Sequence, residues 1–308
     1  MSDEATSARH VSALSPFLCV VWAPPDVLIS LTGEDLGIKL IAMDLDGTIL
    51  RGDQSIHPSL PSAFAKARAN GITLVIATGR AYQSTQRVIA PFAFPGPLIC
   101  SNGSHVLNPE HEMIGAEYLD QETKDFTLRY AHDHNIHVSA YGEEGVSTLK
   151  ESDWLVKYKR HVGLIDIPIL GFEALMSKQL FKLVYICPEL EVPVHRQKLS
   201  FLEVKEKAQL TESGPEYLEI LPRFANKGNG LAKLTQYLHV DRSETAAIGD
   251  YLNDLEMLDW VGTAGAVENA LPEVKMRAQI VVKSNEEGGV AEFIDRCILL
   301  NSGDRRES

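Results

Sequence analysis

Cysteine is scarce in this chain of 308 residues, which contains four, at positions 19, 100, 187 and 297. They are scattered, without the C-x-x-C spacing that zinc and redox sites commonly use. A disulfide framework is therefore not expected. Isolated cysteines are typical of a reducing compartment, so the sequence predicts a cytoplasmic protein.

Positive charge is also in deficit, because 29 lysine and arginine residues stand against 42 aspartates and glutamates, for a formal net charge of −13. A field of this sign disfavours general binding to nucleic acid or to an anionic membrane. It also repels phosphorylated substrates, so such a substrate would need a local cation, either a metal or a lysine. Nothing in the composition indicates an obligate protein partner.

A long uninterrupted hydrophobic run is missing as well. The apolar stretch Leu14–Leu31 is broken by Pro24, Pro25 and Asp26, and acidic residues precede it where a signal peptide carries basic ones. These features argue against a membrane span and against a cleaved leader. Residues 1–37 are predicted to be a poorly ordered extension, since the first regular strand pattern begins near residue 38.

What the sequence does contain is an alternation of apolar strands and helices, typical of an α/β fold. In residues 38–105 the predicted elements are a strand at Ile38–Met43, a helix at Pro58–Asn70, a strand at Ile72–Ala77, a helix at Ala81–Ile89 and a strand at Leu98–Cys100. The alternation resumes in residues 224–300 and closes with a helix at Gly289–Leu300. This order predicts a Rossmann-like parallel-sheet core with right-handed crossovers.

The intervening residues 106–223 change character, with alternating strand patterns such as Phe181–Ile186 and helical ones such as Glu122–Asn135. A segment of this length cannot be one loop in a compact protein, so it is predicted to be an inserted α+β domain. Four of its aromatic residues are predicted to fill its own core, with one of them left as a candidate to reach the substrate pocket: Trp154, Tyr158, Phe181 and Tyr185. Residues 301–308 are predicted to be a polar tail.

Two acidic segments follow predicted strands: D-L-D-G-T at 44–48 and G-D-Y-L-N-D at 249–254. Carboxylates this close repel one another, and a fold tolerates them best around a cation. Their hard oxygen atoms suit Mg²⁺. Taken singly, each segment is also compatible with an acidic turn before a helix.

Two further segments could bind a phosphoryl group. Thr78-Gly79-Arg80 follows the second strand, where a hydroxyl and backbone N–H groups can hold a phosphoryl oxygen, and Lys227 opens a helix and supplies positive charge. Each is weak alone. Together they are informative, because Asp44, Thr78 and Asp250 follow parallel strands in the same sense and are predicted to share one edge of the sheet.

In this order, D-L-D-G-T, T-G-R, N-K-G and G-D-x-x-N-D resemble the motifs of the haloacid dehalogenase-like superfamily. The T-G-R form, the large insertion and the segment 284–291 (S-N-E-E-G-G-V-A) resemble its Cof-type branch, whose insertion is a type IIB cap over the active site. The resemblance covers residues 38–298.

The resemblance implies that Asp44 is the nucleophile and Asp46 the general acid/base. It implies four phosphoryl-binding residues: Thr78, Gly79, Lys227 and Asn253. It implies a Mg²⁺ site formed by Asp44, Asp46 (through its carbonyl), Asp250 and Asp254. It also implies that three residues lie at the substrate pocket: Arg80, Asn102 and Gly103.

The predicted function is a Mg²⁺-dependent phosphatase that hydrolyses a small phosphomonoester, such as a sugar phosphate or related metabolite, through an aspartyl-phosphate. Two alternatives stay open. One is a phosphomutase of the same superfamily, and the other is a phospho-accepting regulatory module without turnover.

Overall fold

The computed structural model describes residues 37–164 and 166–303. The predicted N-terminal extension up to residue 36 and the last part of the predicted tail, residues 304–308, lie outside the described residues. Within the described ranges, none of the helices combines the length and apolar character needed to cross a membrane.

The described residues form two sheets with helices packed on them. The strands are β1 Leu40–Met43, β2 Thr73–Ala77, β3 Leu98–Cys100, β4 His105–Leu107, β5 Met113–Ala116, β6 His137–Gly142, β7 Gly145–Thr148, β8 Leu180–Ile186, β9 Ala208–Gly214, β10 Tyr217–Pro222, β11 Thr245–Gly249, β12 Thr263–Val267 and β13 Ile280–Val282. The helices are α1 Leu60–Ala69, α2 Tyr82–Ile89, α3 Gln121–Asp133, α4 Asp153–Val162, α5 Phe172–Ser177, α6 Val192–Val204, α7 Lys227–Leu238, α8 Leu255–Trp260, α9 Pro272–Lys275 and α10 Gly289–Gly303.

The larger sheet has the order β13-β12-β11-β1-β2-β3-β4-β5. The six strands from β13 to β3 are parallel, which confirms the predicted α/β core. Strand β1 lies between β11 and β2 and is fully buried, as expected for a parallel sheet covered on both faces. The carboxyl ends of these three neighbouring strands therefore meet at one edge.

The predicted start of the insertion at residue 106 is wrong. Strands β4 and β5 pair antiparallel with β3 and extend the core sheet, so the inserted unit begins after Ala116. The chain reverses at once after β3 because Ser101, Asn102 and Gly103 all have positive φ (51°, 53° and 89°). We call residues 117–223 the cap.

The predicted end of the last helix is also displaced, since α10 continues to Gly303. The side chain of Asn301 accepts from the backbone N–H of Ile38 at 2.7 Å and donates to its carbonyl at 3.0 Å. These two bonds hold an additional turn of the helix against the start of β1. Residues 301–303 are therefore part of a helix rather than of a polar tail.

The cap is built on an antiparallel sheet with the order β7-β6-β8-β10-β9. One face is covered by α3 and α6, whose Leu128 and Leu199 join Leu183 in a buried apolar cluster. The opposite face carries a second cluster that includes Val184 and, from α4, Tyr158. Side chains alternate between faces along a strand, so the central strands β6, β8 and β10 contribute to both clusters.

Candidate active site

The turn after β1 is built around Asp250, which follows the neighbouring strand β11. Gly47 has a φ of +81°, and a Cβ at this position would lie 2.4 Å from Oδ2 of Asp250. Glycine therefore satisfies both the backbone and the available space. Thr48 donates its hydroxyl to Oδ1 of Asp250 at 2.8 Å. This turn brings Asp44 and Asp250 together at the sheet edge.

Lys227 reaches the same place from the first turn of α7. The helix begins there because the side chain of Asn226 accepts from the N–H of Asn229 at 2.7 Å. The ammonium of Lys227 donates to Oδ1 of Asp44 at 2.5 Å and to Oδ1 of Asp254 at 2.6 Å. Its side chain is fully buried, so it is a fixed internal charge.

Asp254 is held by the backbone of its own loop. Its Oδ2 accepts from the N–H groups of Asp250 at 3.0 Å and of Tyr251 at 3.1 Å. A Cβ at Gly249 would lie 2.4 Å from Cγ of Asp254, so this close approach requires glycine. With its other oxygen on Lys227, Asp254 joins the helix to the loop.

Burial dominates the electrostatics of this cluster. It raises the pKa of Asp44 well above the usual range; Lys227 opposes this rise, and the charges of Asp254 and Asp250 add to it. Burial and the charge of Asp254 raise the pKa of Asp250 to about 6. Burial acts to lower the pKa of Lys227, but Asp254 and Asp44 outweigh it and raise that pKa. The cluster therefore has more negative charge than its one lysine balances.

The donor set fits a divalent metal ion. Asp44, Asp250 and Asp254 each offer a carboxylate oxygen, and these atoms lie within 4.8 Å of one another. Three carboxylates beside one ammonium leave an excess negative charge that a cation would neutralise, and oxygen ligands are what hard divalent ions prefer. The carboxylate of Asp46 is not a member of this group. The resemblance assigns Asp46 to the metal through its backbone carbonyl instead.

We expect the metal-free protein to lose stability relative to Asp250→Asn as the pH rises from about 4 to about 7. A carboxyl group with a raised folded pKa keeps a proton in the folded state across this window. The unfolded state binds fewer protons, so the free energy of unfolding falls with rising pH. In urea unfolding with EDTA, the free energy of unfolding of the variant should rise by about 2–3 kcal/mol relative to that of the wild type over this range.

The comparison with Asp250→Asn is needed because other buried groups titrate in the opposite direction. Burial lowers the pKa of His105 and of His137 to about 4, so both favour folding as the pH rises. Wild type and variant share these histidines, and the difference cancels them. A difference in stability that stays constant with pH would contradict the prediction.

Asp46 is oriented by Arg80 rather than by the other carboxylates. Nε and Nη2 of Arg80 donate to the two oxygens of Asp46 at 2.7 Å and 2.6 Å, a two-point pair. Nη2 also donates to Oε1 of Gln54 at 2.8 Å. Arg80 was predicted to lie at the substrate pocket, and in the structure its guanidinium is the partner of Asp46.

The remaining predicted site residues lie in two adjoining turns. Thr78 is buried, and its hydroxyl accepts from the N–H of Arg80 at 3.1 Å, whereas Gly79 lines a cavity beside Asp44. Asn102 is buried, with its N–H bonded to the carbonyl of Thr78 at 3.0 Å. A Cβ at Gly103 would lie 2.0 Å from the carbonyl oxygen of Asn226, so this turn packs directly on the start of α7.

A cavity of about 220 Å³ lies between the acidic cluster and the cap. Its core wall includes Asp44, Asp46, Arg80, Asp250 and Asn253, and its cap wall includes Tyr141, Tyr158, Lys182, Tyr217 and Glu219. Tyr158 belongs to the aromatic group that was predicted to fill the cap core, with one member left as a candidate for the pocket. The other four cap residues were not predicted to line the site. Tyr158 is buried and also faces the cavity, where its hydroxyl bonds to that of Tyr141.

Two of these cap residues could have been found from the sequence. Lys182 and Glu219 are the charged residues of the otherwise apolar or aromatic strands β8 and β10. Charged residues are rarely fully buried unless they are paired, so a charge inside an apolar strand indicates a buried partner or a site. The pattern identifies the residues but not the partner.

Comparison with known proteins assigns the chain to a family. A family model for haloacid dehalogenase-like hydrolases matches residues 41–294. The chain is 29% identical over 286 residues to 5-amino-6-(5-phospho-D-ribitylamino)uracil phosphatase YwtE of Bacillus subtilis (strain 168), covering 85% of this chain and 98% of the relative. It is 29% identical over 259 residues to the HMP-PP phosphatase of Yersinia enterocolitica, covering 83% and 94%.

The fold comparison agrees. The solved structure of TM0651 from Thermotoga maritima matches with a TM-score of 0.75 and 27% identity, covering 84% of this chain and 97% of that one. The chain therefore belongs to the haloacid dehalogenase-like hydrolases and, within them, to the predicted Cof type. It is an enzyme of the phosphoric monoester hydrolase class.

Proposed function

We propose that this protein is a Mg²⁺-dependent phosphatase that hydrolyses small phosphomonoesters through an aspartyl-phosphate on Asp44. The observation that carries the proposal is the position of this carboxylate, which is bonded to Lys227 and lines a cavity beneath the cap, beside Asp46 and Asp250. A nucleophile, a proton carrier and a group that binds cations at one cavity are what this kind of phosphoryl transfer requires.

In the first half-reaction, a carboxylate oxygen of Asp44 forms a bond to phosphorus as the bond from phosphorus to the leaving oxygen breaks. Asp46 gives its proton to that leaving oxygen, and for this it must release at least one hydrogen bond from Arg80. Lys227 orients Asp44 through Oδ1. A Mg²⁺ ion held by Asp44, Asp250 and Asp254 would supply positive charge against the repulsion between nucleophile and substrate.

In the second half-reaction, Asp46 accepts a proton from water as the water oxygen bonds to phosphorus and the bond from phosphorus to Asp44 breaks. This regenerates both carboxyl groups and releases inorganic phosphate. We propose that Thr78, Gly79 and Asn253 bind the phosphoryl oxygens during both steps, since Gly79 and Asn253 line the cavity and the Thr78 hydroxyl lies in the same turn.

The substrate is proposed to be a small phosphorylated metabolite, such as a sugar phosphate. The cavity of about 220 Å³ supports this, because it is smaller than the roughly 300–1,000 Å³ typical of sites for drug-sized ligands. The names of the two relatives also support it, since both describe phosphatases of small molecules.

Buried free thiols at Cys100, Cys187 and Cys297 support a reducing, cytoplasmic setting.

Steady phosphate release from p-nitrophenyl phosphate and from a panel of sugar phosphates tests the proposal. We expect many turnovers per enzyme with Mg²⁺, a loss of about 100-fold or more in EDTA and recovery when Mg²⁺ is restored. One equivalent of bound phosphate without turnover would instead indicate a phospho-accepting module. Isomerisation of a sugar phosphate without free phosphate would indicate a phosphomutase.

A further inference from the structure

A continuous chain of four polar side chains crosses from the cap to the core beside the acidic cluster. Lys182 of β8 pairs with Oε1 of Glu219 on β10 at 2.8 Å. Oε2 of Glu219 accepts from Nδ2 of Asn102 at 2.7 Å. Oδ1 of Asn102 then accepts from Nδ2 of Asn253 at 3.0 Å. Lys182 and Glu219 belong to the cap, and the two asparagines belong to the core.

The pair of charges in this chain is almost fully removed from solvent, with side-chain exposures of 1% for Lys182 and 4% for Glu219. Burying two charges is costly, and an apolar pair of similar volume is often as stable. A contribution to the stability of the cap therefore does not explain why Lys182 and Glu219 are buried as a pair. The second oxygen of Glu219 points to another role, because it bonds to the core.

Glu219 determines which way the amide of Asn102 faces. An ionised carboxylate only accepts hydrogen bonds, so Asn102 must turn its NH₂ group towards Glu219. The carbonyl oxygen of Asn102 is then left for Asn253, which must present its own NH₂ group in turn. One charge on the cap thus sets the orientation of two amides in the core.

Asn102 has little freedom to respond in any other way. Its φ of +53° lies between two other left-handed residues, Ser101 and Gly103. Its N–H is bonded to the carbonyl of Thr78, and a Cβ at Gly79 would lie 3.1 Å from its Oδ1. The core backbone fixes one end of this side chain, and the cap carboxylate fixes the other.

We propose that Glu219 is a positioning residue for phosphoryl transfer, which orients Asn253 at the cavity through Asn102. The inference rests on the proposed function, in which Asn253 binds the phosphoryl group. Because Glu219 is in the cap and Asn253 is in the core, the cap completes the phosphoryl-binding side of the site when it lies over the core. The cap then contributes to catalysis as well as enclosing the substrate.

Two double variants separate this role from the stability of the charge pair. Lys182→Met with Glu219→Gln and Lys182→Met with Glu219→Leu both remove the buried pair, but only the first keeps an acceptor for Asn102. We expect kcat of the second to fall about 10–100-fold below that of the first, with KM differing much less between the two. Equal kcat values in the two variants would overturn the proposal.

A kinetic cycle tests whether the effect passes through Asn253. Asn253→Ala is combined with Lys182→Met and Glu219→Leu, and the loss in kcat is compared with that of each parent. Residues linked in one network give non-additive effects, so we expect the combination to be no slower than Asn253→Ala alone. Losses that multiply would overturn the proposal, because Glu219 would then act by another route.

The side-chain amide resonance of Asn253, observed by ¹⁵N NMR, gives a readout that needs no activity. We expect it to shift in the variant with Glu219→Leu and to stay near its wild-type position in the variant with Glu219→Gln. If the wild type releases no phosphate, the proposed function fails, while this measurement still shows whether Glu219 orients Asn253. An unchanged Asn253 resonance in the variant with Glu219→Leu would overturn the proposal.

Discussion

Asp44→Asn is expected to lower Mg²⁺-dependent phosphate release by about 10⁴-fold or more, as removal of a catalytic nucleophile commonly does. The amide can still accept from Lys227, so the side chain keeps its place, but it lacks the anionic oxygen that attacks phosphorus. The measurement is steady-state release from p-nitrophenyl phosphate. Asp44→Ala should behave alike, and it also excludes recovery of the acid by deamidation.

The loss should occur in a well-folded protein. The ammonium of Lys227 bonds to Asp44 and Asp254, a third carboxylate, Asp250, lies within 4.8 Å of both, and burial already raises the pKa of Asp44. Removing one carboxylate relieves repulsion, so in EDTA the free energy of unfolding of Asp44→Asn should equal or exceed that of the wild type.

Asp295→Asn is the matched control for this substitution. Asp295 lies on α10, half-exposed, in an ion pair with Lys66 at 2.6 Å. An exposed pair of this kind contributes about 1 kcal/mol or less, so both activity and stability should stay close to wild type. Turnover at the wild-type rate in both Asp44 variants would contradict the proposed mechanism.

The core of the site could be anticipated because parallel strands impose a direction. Asp44 and Asp250 follow β1 and β11, which are neighbours in the sheet, and Thr78 follows β2 on the other side of β1. Apolar runs locate such strands, and the α/β order gives their sense, so the shared edge follows from local pattern and topology. The sequence does not give the distances, which depend on close approaches such as that of Gly47 to Asp250.

The start of the cap could not be placed because local signals are weak there. Strands β3 and β4 have three residues each, too short for a periodic pattern. The turn between them uses left-handed Ser101 and Asn102 as well as Gly103, so its backbone has no strong glycine signature. The hairpin is defined by pairing such as that of Leu98 with Leu107, which is a tertiary fact.

The cap wall of the cavity depends on strand order, which the sequence does not encode locally. Strands β8 and β10 are neighbours, although α6 and β9 lie between them in the chain, and this pairing brings Lys182 to Glu219. Likewise, Arg80 and Asp46 both belong to recognisable motifs, but the two-point bond between them follows from packing. Motifs predict which residues gather at a site, whereas partners within it require the register of the sheets.

Lys227→Met is expected to destabilise the metal-free protein by about 3–5 kcal/mol, the usual cost of removing one partner of a buried ion pair. The substitution leaves Asp44 and Asp254 facing each other in the core without a compensating charge. Mg²⁺ should stabilise the variant more than the wild type, because a cation at the cluster replaces part of the missing charge. Urea unfolding in EDTA and in Mg²⁺ measures both effects.

Lys124→Met controls for the loss of a buried lysine as such. Lys124 is 4% exposed in the cap and donates to the carbonyls of Met176 and Lys178, and no carboxylate among the described residues pairs with it. Lys124→Met should lower the free energy of unfolding by the same amount in EDTA and in Mg²⁺. If Lys227→Met also lowered it equally in both conditions, the prediction would be contradicted.

Lys227→Met combined with Asp254→Asn removes one charge of each sign, so it should regain stability. It should stay inactive, since Asp44 still lacks the ammonium that orients it.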